Sequence, residues 1–132
     1  MAKILVVDDD PDSLVMTARA ASREGFEILT AYGAQQALTL LANQPVDVVL
    51  SDNCMPFHDD GLRLAAELQT RGINIPVILL TGYSDLDHRF DSPEKLATFG
   101  LSGYVEKPFH ITDLHAAIDA ALAQKNLVQS DS

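Results

Sequence analysis

Five short runs of β-branched and aliphatic residues recur along the chain: Lys3 to Val7, Glu27 to Ala31, Val46 to Ser51, Pro76 to Leu80 and Gly103 to Val105. Their apolarity is nearly continuous instead of alternating, which predicts strands buried on both faces. The segments between them carry apolar residues at helical spacing, over roughly 12–24, 34–43, 60–71, 92–99 and 111–123. In the last, Ile111, Leu114, Ile118, Ala121 and Leu122 fall on one side. Asp10 before Pro11 and Ser92 before Pro93 each read as an N-cap followed by proline in the first helical turn. Gly25, Gly72 and Gly100 stand where helix ends accept a left-handed residue.

A strand followed by a helix, five times over, predicts an α/β fold: a five-stranded parallel sheet with helices on both faces and right-handed crossovers. The flavodoxin-like (β/α)5 strand order 2-1-3-4-5 is the natural expectation. Beyond Leu122 the periodicity decays into AQKNLVQSDS, so residues 1–123 are read as one domain and 124–132 as a flexible tail.

Composition narrows the classes. No apolar run approaches the roughly 20 residues of a membrane span, and MAKILVVDDD ends its short apolar stretch in acids, unlike a signal peptide. A cytoplasmic protein that does not engage membranes is expected. The single cysteine, Cys54, cannot form an internal disulfide. A formal charge of −10 argues against direct nucleic-acid binding, which needs clustered Lys and Arg.

In an open α/β sheet, ligands bind beyond the carboxyl ends of the strands. Four of the five ends here carry reactive chemistry: Asp8, Asp9 and Asp10 after the first run, Ser51 and Asp52 at the third, Thr81 and Gly82 after the fourth, Glu106, Lys107 and Pro108 after the fifth. The second ends blandly in Ala31 and Tyr32. Carboxylates gathered at one edge repel unless a cation joins them, and hard oxygen ligands suit Mg²⁺ or Mn²⁺. An ammonium from Lys107 and a hydroxyl from Thr81 complete a set suited to stabilising a transferring phosphoryl group.

The motifs VVDDD, SDNCMP, LLTG and GYVEKPF stand in the order, and with broadly the spacing, of response-regulator receiver domains of two-component signalling, and from about Lys3 to Ala123 the chain resembles that family. The resemblance implies Asp52 as phosphoacceptor, Asp9 and Asp52 as direct metal ligands, Asp8 acting largely through water, and the Cys54 backbone carbonyl as a further ligand. It implies that Thr81 and Lys107 contact the phosphoryl oxygens and that Tyr104 moves inward as the Thr81 hydroxyl turns toward the phosphate. The protein would then catalyse only its own phosphorylation and dephosphorylation. A sensor histidine kinase or phosphotransfer protein would be the donor. The face of the fourth helix, fifth strand and fifth helix would be read by an effector, by a fused output domain or by a second copy as a homodimer. Cys54 and Tyr83 match the positions that govern attack of water on the phosphoryl group. Neither supplies a carboxylate or amide, so slow self-dephosphorylation is expected.

Plainer readings exist for each residue. One acid before Pro11 suffices as a helix cap, which accounts for Asp10 but leaves Asp8 and Asp9 unexplained. Tyr104 at a strand end is often simple packing. His58, His88, His110 and His115 show no metal-ligand spacing and read as exposed surface histidines. The segment from Pro56 to Gly61 is one residue longer than the commonest version in the family, and the stretch from Thr81 to Lys107 is longer by several. A haloacid-dehalogenase-like phosphatase shares the chemistry but places its nucleophile in a DxD pattern after the first strand. A receiver-like binding module that works without phosphorylation is the other alternative.

Overall fold

The five apolar runs pair as β1 (Ala2–Val7), β2 (Phe26–Ala31), β3 (Val48–Asp52), β4 (Val77–Thr81) and β5 (Gly103–Glu106). All pairings are parallel, in the order β2-β1-β3-β4-β5. This is a computed structural model describing residues 2–53, 60–82 and 93–130. Among the described residues five helices alternate with the strands: α1 (Pro11–Ala21), α2 (Ala34–Asn43), α3 (Asp60–Thr70), α4 (Pro93–Thr98) and α5 (Ile111–Ser130). The expected flavodoxin-like topology is therefore what the chain adopts.

Two separate cores follow from the two-residue period of a strand. Leu5, Val7, Val49, Val77 and Leu79 meet Ala37, Leu38 and Leu41 of α2 and Leu64, Ala65 and Leu68 of α3. Ile4, Val6, Val48, Leu50, Ile78 and Leu80 project the other way, onto Leu14 and Ala21 of α1 and Leu114, Ile118 and Ala121 of α5. Each fully buried Leu, Ile or Val contributes roughly 1.5–3 kcal/mol, which is why strands with both faces covered read as unbroken apolar runs. The α1 and α5 layer is also tied at its edge. Arg23 lies over the Phe26 ring, 4.3 Å from its centre, and pairs with Asp119. His115 Nε2 lies 2.8 Å from the Ala20 carbonyl oxygen.

Several local expectations change. α1 stops at Ala21, before the expected 24, and Gly25 (φ +90°) is no helix terminus. It is the third residue of a turn closed by the Phe26 N–H donating to the Arg23 carbonyl at 3.0 Å. Gly72 and Gly100 do follow α3 and α4 with positive φ, and the N–H groups of Ile73 and Leu101 reach back to the carbonyls of Leu68 and Leu96. Helix α5 continues to Ser130, beyond the expected end at 123. The amphipathic pattern fades there, but Ala, Gln, Lys and Leu are good helix formers and no Gly or Pro interrupts them. His115, expected on the surface, is half-buried between α5 and α1. Among the described residues no helix is long and apolar enough to cross a membrane.

Candidate functional site

The strand register assembles the site. Val7 pairs with Ser51, so the residues that follow them, Asp8 and Asp52, emerge side by side. Asp52 in turn pairs with Leu80, which puts Thr81 one step beyond it. Thr81 pairs with Glu106, and the Lys107 N–H donates to the Thr81 carbonyl at 2.7 Å, placing the Lys107 side chain at the same edge. The Lys107–Pro108 peptide is cis. Strand β2 stays outside this constellation, as its bland end predicts; the Asp8 N–H only continues the ladder onto Ala31.

Carboxylate oxygens of Asp8, Asp9 and Asp52 lie within 4.8 Å of one another. Asp8 is buried, Asp52 half-buried and Asp9 exposed. The Lys107 Nζ donates to Asp52 Oδ1 at 3.0 Å. Burial pushes the Asp52 carboxyl above its ordinary range and the neighbouring Asp8 charge adds to this, while the hydrogen bond and charge of Lys107 oppose it. With one ammonium against three carboxylates, the ionised cluster keeps two formal negative charges uncompensated. A hard divalent cation matches that deficit, and a set of carboxylate oxygens is the donor chemistry Mg²⁺ and Mn²⁺ take.

Thr81 is 1% exposed, and its hydroxyl has no hydrogen-bond partner among the described residues. An unsatisfied buried hydroxyl is costly, so one retained at this edge fits a ligand oxygen. Tyr104 pairs with Leu79 and packs half-buried on the α2 and α3 face. Strand alternation turns Thr81, two residues past Leu79, toward the same face, so the two stand diagonally adjacent.

Asp10 proves to be the helix cap: its side chain accepts the Asp12 N–H at 3.1 Å. Cys54, Tyr83, His58 and His88 lie outside the described residues, as do 56–59 and 83–92 of the two lengthened segments. Two contributors escaped the sequence reading. Ser13 Oγ donates to Asp8 Oδ2 at 2.5 Å. Gly61, in the first turn of α3, lies against the end of β3 and donates its N–H to the Asn53 carbonyl at 3.1 Å. A serine three residues after an N-cap, and a glycine at the second position of a predicted helix, were the available signals.

Residues 4–119 match the family model described as the response regulator receiver domain. The chain is 33% identical over 123 residues to the transcriptional regulatory protein GlrR of Escherichia coli, covering 93% of this chain and 27% of that one. It is 31% identical over 130 residues to the transcriptional regulatory protein PrrA of Mycobacterium tuberculosis, covering 98% and 54%. The chain thus spans between a quarter and about half the length of these relatives. Among solved structures, a response regulator receiver domain protein from Clostridium thermocellum superimposes with a TM-score of 0.83 at 32% identity, covering 97% of this chain and 99% of that one.

Proposed function

Because the chain is a receiver domain of the response-regulator family, we propose that Asp52 is its phosphoacceptor, and that Asp8, Asp9 and Asp52 hold a divalent cation beside it. The single observation that carries this reading is the Lys107 ammonium donating to Asp52 Oδ1 at 3.0 Å within the three-carboxylate cluster. A carboxylate so placed is a nucleophile with one positive charge already against it and two neighbouring carboxylates able to bring a second by holding a cation.

An Asp52 oxygen attacks phosphorus as the bond from phosphorus to the donor nitrogen breaks, and the leaving imidazole takes up a proton. Lys107 moves its hydrogen bond from Asp52 toward a phosphoryl oxygen, and the buried Thr81 hydroxyl gains its missing acceptor there. Bound Mg²⁺ or Mn²⁺ would supply neutralisation of the charge spread over the transferring group. The Cys54 backbone carbonyl is proposed as a further metal ligand on sequence position alone. Turning of Thr81 toward the phosphoryl group vacates space on the face it shares with Tyr104, and the ring follows; the phosphoryl group shifts the population toward the arrangement that gives it more hydrogen bonds.

The donor class is a phosphohistidine of a sensor kinase or phosphotransfer protein in the cytoplasm. The readout surface is the face of α4, β5 and α5, engaged by an effector, by a fused output domain as in longer regulators, or by a second copy. The family match leaves the phosphatase reading without support, and no observation favours a module that works without phosphorylation. Intact mass after incubation with a small phosphodonor and Mg²⁺ tests the proposal: one phosphoryl group should appear on the wild type and none on Asp52→Asn. No adduct on the wild type, or an equal adduct on the variant, refutes it.

A further inference from the structure

We propose that Ser13 is a positioning residue for the metal site, setting the Asp8 carboxylate through a departure from ordinary helix capping; the inference rests on the cation site described above. In a capping box, the N-cap side chain accepts an N–H of the first turn and the side chain three residues on reaches back to the N-cap N–H. Asp10 fills the first role in α1, accepting the Asp12 N–H. The second role would fall to Ser13, but the Asp10 N–H donates to Asp8 Oδ1 at 3.0 Å instead. Ser13, relieved of that task, turns its hydroxyl to Asp8 Oδ2 at 2.5 Å.

Asp8 therefore receives one donor on each oxygen, both from the start of the same helix. Two donors to the two oxygens fix the rotation of the carboxylate plane as well as its position. Asp8 is 1% exposed, and a buried carboxylate needs such partners. Each oxygen retains a lone pair, so the carboxylate still presents acceptors to a cation or to the water around it. Ser13 is half-buried and is the side-chain member of this pair of donors, hence the one that substitution can remove. Partners of this kind, which orient a ligand without touching the metal, typically change metal affinity by about 10–100-fold.

The test is calorimetric titration of the whole chain with Mg²⁺ alone, and with Mn²⁺ alone, for the wild type, Ser13→Ala and Ser13→Thr. Thermal unfolding without metal is followed in parallel. Ser13→Ala should weaken cation binding about 10-fold, and Ser13→Thr, which keeps the hydroxyl, should restore most of it. A purely structural role for Ser13 would instead move the metal-free melting temperature and leave the cation affinity of the folded protein unchanged, and that result overturns the inference. So does a folded Ser13→Thr that binds as weakly as Ser13→Ala. Should Ser13→Ala fail to fold, Ser13→Cys, with a weaker donor of similar shape, must bind the cation less tightly than Ser13→Thr, and equal affinity of the two refutes the role. A wild type that binds neither cation overturns the metal reading and this inference together, whereas normal wild-type binding with equal affinity in Ser13→Ala overturns this inference alone.

Discussion

Gly61 approaches the acceptor strand so closely that a Cβ built on it would stand 2.6 Å from the carbonyl oxygen of Asp52 and 2.6 Å from Leu79 Cδ1. The Leu79 methyl can rotate away, but the backbone oxygen is fixed by the sheet. Alanine normally improves a helix interior by up to about 1 kcal/mol over glycine, so the two effects oppose each other. Overpacking against backbone is the larger. Gly61→Ala is expected to destabilise the domain by about 1–3 kcal/mol and to slow phosphorylation by displacing Asp52; denaturant unfolding and the rate of adduct formation check the two parts.

Thr81 makes a prediction of opposite sign. Its buried hydroxyl has no partner among the described residues, so the unphosphorylated fold gains nothing from it. Thr81→Val keeps the shape, removes the unsatisfied group and should raise stability by about 1 kcal/mol. The same change should weaken the coupling between phosphorylation and the Tyr104 face. Chemical unfolding without phosphodonor, beside Tyr104 resonances with and without it, separates the two effects.

The Asp52 carboxyl is held above its ordinary value of 3.8, chiefly by burial, so the folded protein keeps this proton to higher pH than the unfolded chain. As pH rises from 3.8 through the folded value, the unfolded state loses the proton first and stability falls. Metal-free Asp52→Asn should therefore melt above the wild type at neutral pH, with the gap closing as pH drops toward 3.8. Added Mg²⁺ should stabilise the wild type and narrow the gap again, because only an intact carboxylate set gains from binding. Melting curves of both proteins across pH, with Mg²⁺ or with a chelator, test the sign.

Phosphoryl lifetime rests on sequence positions alone. Cys54 and Tyr83 offer no group to orient an attacking water, so the wild type should hold its phosphoryl group long, and Cys54→Asn or Tyr83→Glu should hasten its loss. A rapid loss in the wild type that neither substitution quickens would refute the expectation; the decay of adduct mass in Mg²⁺ is the readout.

The juxtaposition of Asp8, Asp9, Asp52, Thr81 and Lys107 was legible in the sequence because each stands within two residues of the end of an apolar run, and parallel register then leaves them few places to go. Asp10 was legible for a similar reason: a cap is a local device, readable from Pro11 beside it. Ser13 was not, because its expected partner on a helix start is the N-cap N–H, and only the structure reveals that Asp8 has taken that donor. Gly61 was equally opaque, since the need for a missing Cβ arises from β3, a strand that ends before the helix begins. The extent of α5 was misjudged for another reason: periodicity reports packing, whereas the last turns follow propensity.

The strand-end assembly also decides how the site can fail. Its members run from Asp8 to Lys107 and meet only through successive pairings of β1, β3, β4 and β5. The complete set therefore comes together only once all four strands have paired. A cation held by Asp8, Asp9 and Asp52 would clasp the adjacent first and third strands at the carboxyl edge of the sheet, so its binding energy would resist their separation. Amide exchange should then slow under Mg²⁺ along β1 and β3 together, far from the metal, with protection reaching down to Ile4 and Val48.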